Sequence, residues 1–226
     1  MASLAKEPYV TPVVEVDYSA LTNLEPDGSE NDLTGVDVLE MGLGWDKSTG
    51  GHGGVIGWLS RKAGSDLDGN AVFYTAPQKP IKYLGWDELD SFANEPAHAG
   101  SAVHTGDNQT GEGAGDDETI RIEFAKLPPR IKKIVLTAAA FKPGSSMKRA
   151  KNITVTLYDS TGGTKTPVAY IEPSLLRPKN TIGCAVLTRQ PATPEKPEHW
   201  TLRVLDASVD VKQGDRDDFL VKNMQF

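Results

Sequence analysis

The sequence is notable first for what it has little of. It holds one cysteine in 226 residues, Cys184, so no internal disulfide can form and the Cys-rich zinc patterns are excluded. It holds no run near the roughly 20 apolar residues that cross a bilayer, which argues against membrane insertion. The first twenty residues, "MASLAKEPYVTPVVEVDYSA", lack the continuous apolar core of a secretory signal. Basic residues are outnumbered, 24 Lys and Arg against 31 Asp and Glu, for a net charge of −7. That balance argues against a nucleic-acid-binding face. These shortages point to a cytoplasmic protein. The Asn-x-Thr sequons at Asn108 and Asn152 carry no weight where no export signal is seen.

Room for helices is also short. Fifteen prolines and 22 glycines are spread along the whole length, and a proline inside a helix removes a hydrogen bond and clashes with the preceding turn. The pattern that remains is that of strands. "TIRIEF" (119–124), "NITVTLYD" (152–159) and "HWTLRV" (199–204) alternate polar and apolar residues, the mark of a strand buried on one side. "IKKIVLTAAAF" and "IGCAVL" are more continuously apolar, as central strands covered on both faces would be. The second run makes Cys184 a buried, inert thiol. Turn-rich segments such as "KPGSS", "DSTGGT" and "RQPATPEKPE" separate the runs. The expected fold is all-β, a two-sheet β-sandwich with short or no helices. "WDELDSFANE" (86–95) is the one stretch with room for a turn of helix.

Against this background stands "HTGDNQTGEGAGDDE" (104–118), which crowds five carboxylates among glycines with no Lys or Arg. Ca²⁺ takes six to eight oxygen ligands from carboxylates, amides and backbone carbonyls. Asp107, Asn108, Asp116, Asp117 and Glu118 supply such oxygens, and Gly111, Gly113 and Gly115 supply the backbone freedom to turn them inward. Standard loops do not fit. An EF-hand register from Asp107 puts Glu112 where glycine is required, and the repeated Gly-Gly pairs of the calcium nonapeptide are missing. Residue pattern alone leaves a solvated acidic turn level with a calcium cage. An acid/base pair between these carboxylates and His104 is the remaining option. Asp66 and Asp68 share a face at strand spacing and could reach one ion, although Asp68–Gly69 also reads as an ordinary turn. "LGWD" closes an earlier strand with Asp46.

"MGLGWD" (41–46), "DLD" (66–68) and "VHTGDNQTGEGAGDDETI" (103–120) stand in an order that resembles the TerD family of tellurite-resistance and stress-response proteins. "LPPRIKKIVLTAA", "IGCAVLTR" and "HWTLRV" resemble its later strands. The resemblance implies a calcium-binding β-sandwich holding two Ca²⁺ ions, with no settled catalytic activity. Carried over by position, the donors are Asp66, Asp68, Asp107, Asn108, Asp116, Asp117 and Glu118, completed by carbonyls near Gly111 and Gly113. Asp46 could bind directly or stand behind a ligand. The segment 83–102 departs from the family pattern, and Asp90 there is a remnant of a donor position. The division expected is an N-terminal arm (1–35), a TerD-like domain (36–211) and a C-terminal tail (212–226).

Two functions of different kind follow. One is a non-catalytic calcium-binding module of the stress-response type. The other is a structural subunit of a larger assembly, such as a virion or phage-tail-like particle, braced by calcium. In that case the terminal arms would contact copies of the chain or other partners.

Overall fold

The computed structural model describes residues 29–46, 66–76, 79–106, 116–140, 147, 150–171 and 179–209. The expected tail and all but the last residues of the expected arm lie outside them. Eleven strands are formed among the described residues: β1 (Asn31–Asp32), β2 (Val38–Asp46), β3 (Asp68–Thr75), β4 (Lys79–Leu84), β5 (Ala102–His104), β6 (Glu118–Glu123), β7 (Lys133–Ala139), β8 (Lys151–Asp159), β9 (Thr166–Ile171), β10 (Thr181–Gln190) and β11 (His199–Val209). They make a six-stranded sheet in the order β1-β11-β10-β7-β3-β4 and a five-stranded sheet in the order β5-β6-β2-β8-β9. Helical geometry among these residues is limited to two short 3-10 turns, Phe124–Lys126 and Thr161–Gly163. Within 86–95 the chain makes consecutive tight turns, with the Glu95 N–H donating to the Phe92 carbonyl at 2.8 Å.

The alternation read in the sequence decides which side chains meet. Ile120 and Ile122 of β6, Val155 and Leu157 of β8, and Leu202 and Val204 of β11 are at most 5% exposed and belong to one core between the sheets. Phe73 of β3 stacks edge-on against Phe92, ring centroids 5.3 Å apart. Burial at about 25 cal/mol per Å² of apolar surface is what holds the two sheets face to face.

The two continuously apolar runs became β7 and β10, and both are buried on both faces. Ile134 and Leu136 point into the main core, while Val135 belongs to a second cluster with Val72, Tyr74 and Val186. Burial pushes the Tyr74 hydroxyl well above its ordinary range.

Cys184 of β10 is fully buried, and desolvation pushes its thiol up to about 12. The thiolate is the reacting form, so Cys184 should resist a colorimetric thiol reagent in buffer and react stoichiometrically in guanidinium. Full labelling of the native protein within minutes would contradict this burial.

The sheet borders are built alike. β1 has two residues and β5 three, while β4 and β9 carry Pro80 and Pro167 beside irregularities in register. Proline cannot donate to a ladder and is tolerated at such borders. Residues at the end of the expected arm take part in the sandwich: Asn31 and Asp32 pair with β11, and Leu33 is buried in the core.

Strand register places the chemistry at one end. Asp68 at the start of β3 pairs with Ala139 at the end of β7, and Ala139 pairs with Thr181 at the start of β10. In the other sheet Glu118 at the start of β6 pairs with Leu43, near the end of β2. The stretches 47–65, 107–115 and 172–178 are therefore all entered or left at this same end of the sandwich.

Candidate functional site

Asp66 and Asp68 flank the fully buried Leu67 at the entry to β3 and are 6% and 5% exposed. The Asp68 carbonyl accepts a hydrogen bond from Asn70 Nδ2 at 2.8 Å. Asn70 Oδ1 in turn accepts one from the Tyr83 hydroxyl at 2.6 Å. This buried amide fixes the backbone that presents both aspartates.

Across the sandwich, three consecutive acids go three ways. Glu118 turns inward, where its Oε2 accepts the Gly69 N–H at 2.8 Å and so ties the two sheets together. The same oxygen lies 3.3 Å from His104 Nε2, with both side chains at most 1% exposed. Asp117 stays along the end of β2: its N–H donates to the Leu43 carbonyl at 2.8 Å, and its Oδ2 accepts the Trp45 N–H at 3.0 Å. Asp116 folds onto the outer face, where its Oδ1 accepts the Tyr158 hydroxyl at 3.3 Å and its Oδ2 lies 3.8 Å from Lys165 Nζ. Burial raises the Asp116 carboxyl above the usual range, and the Lys165 charge opposes that rise.

The state of His104 follows from its neighbours. Its Nδ1 accepts the Gly106 N–H at 3.0 Å, so that nitrogen carries no proton. The ring proton is then on Nε2, facing the Glu118 carboxylate. Nδ1 is engaged by the Gly106 N–H, while Nε2 is buried beside the Glu118 carboxylate without a well-formed hydrogen bond. The oxygens left at this end are hard donors of the kind Ca²⁺ and Mg²⁺ prefer, and not the nitrogen and sulfur set of zinc or copper.

The remaining sequence candidates divide. Asp107, Asn108, Gly111 and Gly113 lie outside the described residues, as does the side chain of Asp46. Asp90 has both oxygens committed to local backbone, accepting the Phe92 N–H at 3.0 Å and the Gly100 N–H at 2.9 Å. Among the described residues, no three or more His, Cys, Asp or Glu side chains converge in a way that could hold a metal ion. Sequence reasoning names His104 only as an acid/base option and does not find Tyr158, Lys165 or Glu40. The alternate glycines of "MGLGWD" were the available signal, since glycine on one face of a strand marks a close approach.

Comparison with known proteins follows the same line. Residues 26–192 match the family model described as TerD domain. Tellurium resistance protein TerZ of Serratia marcescens is 35% identical over 126 residues, covering 55% of this chain and 60% of that protein. Stress response protein SCP2 of Bacillus subtilis is 38% identical over 112 residues, covering 48% and 55%. The match thus spans little more than half the length of these curated relatives. A solved homologue of telluride resistance protein from Streptomyces coelicolor superposes with a TM-score of 0.55 at 17% identity, over 78% of this chain and 93% of that one. That last likeness is one of fold.

Proposed function

Because the chain belongs to the TerD family, we propose that it is a non-catalytic calcium-binding β-sandwich module of the stress-response type. The observation that carries the reading is the burial of Asp66, Asp68 and Glu118, 6%, 5% and 1% exposed, at the end of the sandwich where the acidic glycine-rich stretch enters and leaves. Carboxylates gathered in this way offer hard oxygen donors of the kind Ca²⁺ takes. The donors proposed are Asp66, Asp68, Asp117 and Glu118, joined by Asp107, Asn108 and the carbonyls of Gly111 and Gly113, enough oxygens for two ions. Bound Ca²⁺ would neutralise these charges and fix the acidic stretch against the sheet ends. The relatives named for tellurium resistance and stress response support a part in tolerating such stress.

Calorimetric titration with Ca²⁺ tests the reading. Binding heat is expected from the parent protein, with a weaker response from Asp68→Ala and Asp117→Ala. At free Ca²⁺ a hundredfold above Kd, the fold should gain about 2.7 kcal/mol over its chelated form. A parent protein that gives no heat and melts identically with and without chelator would overturn the proposal.

A further inference from the structure

We propose that Lys165 is a positioning residue for Asp116 and the two acids that follow it. With Glu40 and Tyr158 it holds Asp116 on the outer face of the five-stranded sheet, and this fixes how Asp117 and Glu118 enter the sandwich. The inference rests on the calcium-binding reading and deepens it, because Lys165 then sets cation affinity without touching the cation.

Three neighbouring strands build the seat. Glu40 of β2 and Tyr158 of β8 are direct partners across their ladder, and Lys165 immediately precedes β9. Lys165 Nζ lies 2.8 Å from Glu40 Oε2 and 5.1 Å above the Tyr158 ring. The lysine side chain is only 13% exposed and that of Glu40 8%. An outward-facing ammonium held this far from solvent has been placed by its partners.

Gly42 gives a second, independent observation. It lies two residues from Glu40 along β2, on the same face, and a Cβ added there would sit 2.1 Å from Asp116 Cγ. The carboxylate can rest on the strand only because that position has no side chain. Asp116 thus fills a seat prepared by β2, β8 and β9 together.

The charges indicate what this seat is for. An ammonium 3.8 Å from Asp116 Oδ2 repels any cation that would share that oxygen. Asp116 is therefore engaged as an anchor, leaving coordination to its neighbours. The next residue is pinned through its N–H to Leu43, and Glu118 opens β6 facing inward. Side chains of a strand alternate faces, so a fixed start sets which of the following acids points between the sheets.

The test compares Ca²⁺ titration of the parent with Lys165→Met and Tyr158→Phe, together with melting of each in chelator. Changes behind metal ligands typically cost 10–100-fold in affinity, so Lys165→Met should raise the Ca²⁺ dissociation constant by about that factor. Tyr158→Phe removes one hydrogen bond to Asp116 and should raise it about fivefold. It should melt close to the parent in chelator, so it decides the matter if Lys165→Met fails to fold. Variants that melt lower in chelator but bind Ca²⁺ as tightly as the parent would reduce Lys165 to ordinary scaffolding and overturn the inference alone. A parent that binds no Ca²⁺ overturns the functional reading and this inference with it.

Discussion

Glu118→Ala, measured in chelator so that no metal contributes, should be less stable than the parent by about 3–5 kcal/mol. The loss has several sources. Oε2 accepts the Gly69 N–H and lies beside the buried His104 ring. Truncation leaves the Gly69 N–H buried without its acceptor, at roughly 1–3 kcal/mol, and opens a void that costs about as much again. Glu118→Gln keeps a carbonyl acceptor and should recover more than half of the loss. Denaturant unfolding of the three proteins checks the order. Equal midpoints for Glu118→Ala and the parent would mean that this contact between the sheets contributes nothing.

Phe73→Ala should cost about as much, roughly 3–5 kcal/mol, for a different reason. Phe73 is fully buried in the middle of β3 and meets Phe92 edge-on, with rings inclined at 77°. Removing the ring loses its transfer free energy, leaves a cavity and gives up an aromatic pair worth about 0.5–1.5 kcal/mol. At this chain length the melting temperature should fall by roughly 10 °C. Trp86, 46% exposed, supplies the contrast: Trp86→Ala should stay within about 0.5 kcal/mol of the parent. Similar losses from the two aromatic truncations would mean that Phe73 is not at the centre of the core.

The sequence spoke most clearly where alternation is set by burial. "TIRIEF", "NITVTLYD" and "HWTLRV" became β6, β8 and β11 with their apolar faces in one core. The continuous apolar runs became β7 and β10, whose side chains divide between two clusters. A period of two can be read from one strand alone, because each face has a single environment.

The site is legible in type and much less so in direction. Asp116, Asp117 and Glu118 look equivalent as a triplet. They separate because the chain enters a strand there and its partners come from elsewhere: Tyr158 and Lys165 are 42 and 49 positions downstream of Asp116. His104 stands beside the motif in sequence, yet its role depends on Gly106 and Glu118 meeting it from two sides. Such meetings are set by topology and not by local composition.

The prolines of β4 and β9 bear on how the two sheets meet other chains. Strands recruit further strands through unsatisfied main-chain groups along a free margin, and among the described residues Pro80 and Pro167 interrupt the margins formed by β4 and β9. A copy of the chain laid against either of those two borders would therefore find its ladder broken at the proline.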